Sequence, residues 1–146
     1  MTTLATDPYC ITDEDAAALL LDARWRRFAV LGDSMAAGIG DDVPGYPSGG
    51  WATTIARALQ RVHPDAAYLN TGERDRYAAQ VRERIRDLGD AVAELAERRG
   101  GIHIVMTHHP AAAERSTYSA DLLHASARGH AIIAAATIRR LAQVAS

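Results

Sequence analysis

Apolar positions along this chain alternate between short unbroken runs and stripes at helical spacing, the pattern of parallel strands joined by helices. Thr12-Asp-Glu-Asp15 ahead of Ala16 to Asp22 predicts a capped helix start, with acids where the helix dipole favours them. A strand follows at about Arg27 to Leu31. Trp51, Ile55, Leu59 and Val62 then recur on one helical face, predicting a helix from about Trp51 to Val62 that His63-Pro64 ends. Ala66-Ala-Tyr-Leu69 reads as a second strand, and strand, helix, strand in that order implies a right-handed parallel crossover.

The longest stripe is Val81, Ile85, Leu88, Val92 and Leu95. It predicts a helix from about Arg76 to Arg98, on the order of 35 Å long at 1.5 Å per residue. Gly89 inside it marks a kink or a break into two helices, and Gly100-Gly101 stops it. Ile102-His-Ile-Val-Met106 reads as a third strand, Thr107 to Tyr118 as a polar loop, and about Ser126 to Val144 as a final helix with Ser126 as its cap. Gly38, Gly40, Pro44, Gly45, Pro47, Gly49 and Gly50 crowd one loop after the first strand.

The chain of 146 residues is the size of one domain, and we take 1–146 as a single unit. Its 48% hydrophobic and 23% charged residues are those of an ordinary globular protein. A net charge of −2 gives no electrostatic reason to expect nucleic acid. The Arg residues from Arg74 to Arg86 alternate with Glu73, Asp75, Glu83 and Asp87, as on a solvated helix face. The lone Cys10 rules out an intramolecular disulfide and is expected to be inert. No stretch approaches the roughly 20 apolar residues of a membrane span, and with no basic-then-apolar leader a cytoplasmic enzyme is expected.

Chemistry concentrates at two places. Gly32-Asp33-Ser34 sits in the turn after the first strand, at the carboxyl edge where open α/β sheets keep their sites. Asp121-Leu-Leu-His124 sits just before the last helix. A Ser hydroxyl is a poor nucleophile until an imidazole takes its proton and an acid holds that imidazole, and these residues supply all three groups. Asp33 is expected to bond turn amides rather than to act in catalysis. The nucleophile elbow of α/β-hydrolases does not fit, since the turn reads Gly32-Asp-Ser-Met-Ala36. His108 and His109 lie on an extended segment that points them to opposite faces, with no carboxylate at ligand spacing. We therefore expect them to line a pocket and expect no metal and no cofactor; His130 is expected to pack its helix.

Phe28-Ala-Val-Leu-Gly-Asp-Ser34 with Gly38-Ile-Gly-Asp41 resembles the first block of the GDSL/SGNH hydrolase superfamily, and Tyr46-Pro-Ser-Gly-Gly-Trp51 resembles its next loop. Tyr118-Ser-Ala-Asp-Leu-Leu-His124, with Gly129-His130, is similar to that family's last block. The resemblance implies a serine esterase or lipase on a flavodoxin-like parallel sheet. Ser34 would then be the nucleophile and a backbone oxyanion donor, His124 the base and Asp121 its partner. Gly72 or Asp75 would give a second backbone donor, while Tyr46 and Asn70 would meet a small-molecule ester.

The family's Gly-x-Asn-Asp block, whose Asn completes the oxyanion hole, is absent: the only Asn is Asn70, which by position belongs to the second block. With that block go two strands and a helix. The expected fold is thus a reduced flavodoxin-like α/β sandwich of three layers, with a short parallel sheet of about three strands. The Val81-to-Leu95 stripe is expected either to replace the lost layer or to pack on a second chain, as a homodimer with strand or helix exchange. The functional expectation is an ester hydrolase working through an acyl-serine; its alternative is an inactive module that oligomerises or binds a ligand.

Overall fold

The computed structural model describes residues 2–72 and 82–145, with side chains described throughout except at 82–88. These residues form a mixed α/β fold with four α-helices and one two-stranded parallel sheet. Helix α1 spans Asp13–Leu19, β1 Arg27–Val30, α2 Gly50–Val62, β2 Ala67–Asn70, α3 Arg82–Arg99 and α4 Ala127–Ala145. Helices α1, α2, α4 and both strands lie within a few residues of their expected places, and α3 ends at Arg99 as expected, while its expected start at Arg76 lies outside the described residues. Thr12 caps α1 as its acid-rich start implied, its hydroxyl accepting from the Asp15 amide at 3.1 Å.

Why these segments pack as they do follows from their apolar faces. Ala16 and Leu20 of the α1 turn, Ile55 and Leu59 of α2, and Ala134 and Ile138 of α4 form one buried cluster, with Trp25, Trp51 and Leu141 around it. Leu20, Ile55 and Ile138 have no exposed surface at all. In the sheet, Phe28 faces Tyr68 and Val30 faces Asn70 in the parallel register. Phe28 stacks on Tyr68 at 5.6 Å, and Val30 packs with Ala36 and Ala52 beneath the start of α2. Alternation puts the neighbouring residues on the opposite face.

That opposite face is open. Leu31 and Leu69 are 81% and 59% exposed, so among the described residues helices cover one side of the sheet and the expected third layer is not formed. Of the stripe on α3, the described side chains do not supply it: Val92 and Leu95 are 45% and 49% exposed, while Val81 and the side chains of Ile85 and Leu88 lie outside the described ones. Helix α3 is continuous through Gly89 and ends at Gly100, whose φ of +66° suits a residue without a side chain.

The third strand expected at Ile102 to Met106 is also not formed. The segment is irregular up to Val105 and then makes a 3₁₀ turn over Met106–His108. It keeps the burial alternation of a strand, with Ile102, Ile104 and Met106 half-buried between exposed neighbours. Alternation is set by the sequence, but a strand also requires a neighbour to satisfy its backbone groups, and none of the described residues offers one. Two further 3₁₀ turns, Pro110–Ala113 and Arg115–Thr117, carry the chain to α4. No described helix is long and apolar enough to cross a membrane.

Candidate active site

Ser34 stands on a turn that β1 launches and that α2 and the end of β2 pin. The Asp33 carboxylate accepts the Met35 amide at 3.0 Å, which is the turn-forming role expected of it. The Ala37 and Ile39 amides donate to the carbonyls of Asp33 and Ser34, winding residues 33–39 into a compact coil. From α2, the Trp51 indole donates to the Met35 carbonyl at 3.0 Å. From the end of β2, the Asn70 amide donates to the Ala36 carbonyl at 2.7 Å and to the Tyr68 hydroxyl at 3.1 Å. Gly72 packs so closely against Ala36 and Ala37 that a Cβ there would overlap their backbone.

The second half of the site is the loop from Tyr118 to Ser126. Leu122 takes a left-handed φ of 57°, uncommon for a side chain with a γ-branch, and this bends the chain so that Asp121 and His124 meet. One Asp121 oxygen accepts the amides of Leu123 and His124 at 2.9 and 3.0 Å. The other accepts from His124 Nδ1 at 2.6 Å. With Nδ1 protonated by that bond, Nε2 is the acceptor, and it lies 3.0 Å from the Ser34 hydroxyl. The imidazole hydrogen bond, aided by the two amides, holds the Asp121 carboxyl well below the ordinary carboxylate range. Ser34, His124 and Asp121 are thus joined as expected, across 90 residues of sequence.

Asp41, to which the sequence reading assigned no role, clamps the two halves together. Its amide donates to the Ser119 hydroxyl at 2.8 Å, its carboxylate accepts the Ala120 amide at 2.6 Å and its carbonyl accepts the Ala127 amide at 2.8 Å. Beside it Gly40 passes against the Ala125 carbonyl with no room for a Cβ. The signal available in the sequence was the placement of Gly40-Asp41 in the glycine-rich loop. His130 adds a second bridge: Nε2–H donates to the Ile39 carbonyl at 3.2 Å while Nδ1 accepts the Trp51 amide at 3.4 Å. Ser126 caps α4, its hydroxyl accepting the Gly129 amide at 3.2 Å.

The other expected site residues are placed differently. The Gly72 amide donates to the Asn70 side-chain oxygen at 2.8 Å, so this oxyanion candidate is already engaged. Asn70 is likewise consumed in holding the Ser34 turn. Asp75 lies outside the described residues. Tyr46 is engaged inside the protein: its hydroxyl donates to Asp7 at 2.8 Å, in a cluster where Arg128 also binds Asp7 and Glu114, each at 2.7 Å. Burial and the Asp7 hydrogen bond push the Tyr46 phenol up to about 12. Cys10 is buried nearby and burial raises its thiol to about 12, as befits an inert position.

An apolar cleft of about 180 Å³ lies between the loops that carry the triad and α4. Met35, next to Ser34, and Leu123, next to His124, stand on its wall with Met106, Tyr118, Ile132 and Ile133. His109 also lines it, while His108 is exposed and no group of three metal-binding side chains occurs among the described residues. The Ser34 amide makes no hydrogen bond to another described residue. Compared with known proteins, the chain matches no family model, no curated protein and no solved structure.

His130 couples this architecture to pH. Burial lowers its affinity for a proton, outweighing the Ile39 hydrogen bond, and a positive His124 lowers it further. The folded state therefore keeps His130 neutral where the unfolded chain, at an ordinary value of about 6.5, begins to take up a proton. Its stabilising contribution is complete above that value and is lost as pH falls through the lower folded-state value. Urea unfolding between pH 7 and pH 5 will show stability falling with pH, and His130→Gln will flatten that slope; equal slopes would contradict the assignment.

Proposed function

We propose that this protein is a serine hydrolase of carboxylic esters built on a shortened SGNH-like arrangement. The observation that carries the reading is the unbroken hydrogen-bond chain from Asp121 through His124 to the Ser34 hydroxyl. Ser34 Oγ attacks the ester carbonyl while His124 Nε2 takes its proton. Asp121, kept ionised, stabilises the imidazolium and fixes its ring. The Ser34 amide donates to the oxyanion. Collapse expels the alcohol, which His124 protonates, leaving an acyl-serine. Water then attacks that acyl group with His124 as base, releasing the acid and restoring Ser34.

The engaged Gly72 and Asn70 groups favour a slow enzyme and give some support to the alternative of an inactive binding module. Each missing oxyanion donor costs about 10²–10³ in turnover. An activated aryl ester such as 4-nitrophenyl acetate, whose leaving group requires little protonation, is therefore the substrate to use. Ser34→Ala is expected to lower kcat/KM by roughly 10³-fold with the fold intact by circular dichroism. Equal hydrolysis by the two proteins would remove the enzyme reading and leave the binding module.

A second copy of the chain is proposed as the partner for the free edge of β1. The edge of β1 away from β2 has no partner strand among the described residues, and β1 pairing across a two-fold axis would join two such sheets into one of four strands. Leu31 and Leu69 of both copies would then form a continuous apolar surface. Native mass spectrometry at micromolar concentration is expected to show a dimer, weakened by Leu31→Asp. A monomer under those conditions would contradict the pairing.

A further inference from the structure

We propose that the cleft beside the triad holds the hydrocarbon chain of the substrate and restricts it to about six carbons, so that the preferred esters are medium-chain and apolar. This rests on the reading of Ser34 as the nucleophile. Position is the first argument. Met35 and Leu123 on the cleft wall are the chain neighbours of Ser34 and His124, whose side chains are joined at 3.0 Å, so the wall comes within one residue of the triad on both of its loops.

Chemistry is the second. The cleft is formed by Met106, Ala111, Ile132 and Ile133 together with the two residues at the triad. The polar side chains on its wall are largely spoken for inside the protein. Tyr118 donates its hydroxyl to the Ala112 carbonyl at 2.8 Å, and Thr117 donates to the Glu114 carbonyl at 2.7 Å. His109 Nδ1 accepts the Ala111 amide at 3.2 Å. A sugar or a charged acid placed here would lose its water and find few partners, which disfavours polar acyl groups.

Size is the third. At the ~30 Å³ that a water-sized group occupies in a liquid, a cleft of about 180 Å³ takes about six heavy atoms. Each methylene buried from water is worth up to about fourfold in affinity. Catalytic efficiency should climb with each carbon until the cleft is full and then level off or fall.

The test is a chain-length series with the full chain. Release of 4-nitrophenol from the acetate, butanoate, hexanoate, octanoate and decanoate esters varies the acyl side. Release of acetate from ethyl through octyl acetate varies the alcohol side. The arm that rises to about six carbons identifies which half of the ester enters the cleft. Ile133→Trp, with Ala112→Leu as a second variant filling the same space, is expected to collapse the hexanoate-to-acetate ratio toward one.

Binding of the methyl esters of the same acids to Ser34→Ala, read by saturation-transfer NMR, tests the cleft without turnover. A chain-length limit in binding that the filling variants abolish supports the cleft even if hydrolysis proves independent of Ser34, which would overturn only the proposed function. Efficiency and binding that ignore chain length, or a dependence that survives both filling variants, would overturn the cleft assignment.

Discussion

The contact between the glycine-rich loop and the loop ahead of α4 is the constraint on which the site depends. Ser34 and His124 lie 90 residues apart, and the 3.0 Å bond between them contributes only about 1 kcal/mol net, too little to order two loops. Asp41 does that instead, through its amide, carboxylate and carbonyl at once, with Gly40 allowing the backbones to touch. His130 ties the same loop to the start of α2. The hydrogen bonds from Asp121 through His124 to Ser34 are a consequence of that clamp rather than its cause.

The clamp in turn stands on the three-helix core. Helices α1, α2 and α4 bury Leu20, Ile55 and Ile138 completely, and α2 also covers one face of the sheet. This explains how a fold with an open sheet face keeps its triad assembled. Ser34 needs only the end of β1 and the turn after it, and His124 only the loop that α4 anchors. Neither residue draws support from the side of the sheet where Leu31 and Leu69 are exposed. What is thin there is the oxyanion site, because β2 spends Asn70 and the Gly72 amide on steadying the Ser34 turn.

Helices α1, α2 and α4, the end of α3 and both strands were legible because period and caps state them locally: Thr12 and Ser126 as caps, the Trp51-to-Val62 stripe, the Gly100 stop after α3. Ile102 to Met106 was misread for a non-local reason. Its alternation is genuine, yet pairing depends on a neighbour that no local pattern reveals. The same holds for Val92 and Leu95, whose helical spacing is real while their partner is not in the described chain. In the site, the Asp-x-x-His spacing announced the triad. Tyr46 and Asn70 could not be placed, since a polar side chain in a loop suits an internal partner as well as a substrate, and only the fold brings Tyr46 to Asp7. Asp41 escaped because a clamp is defined by what lies opposite it.

In the proposed enzyme, His124 activates Ser34 within this assembled unit. A fluorophosphonate probe reads this directly, since it bonds covalently to a serine only as fast as a base withdraws the hydroxyl proton. Intact-mass and peptide mass spectrometry should find one adduct, on Ser34, forming far more slowly in His124→Ala. No adduct on Ser34, or labelling at the same rate without His124, would contradict the account.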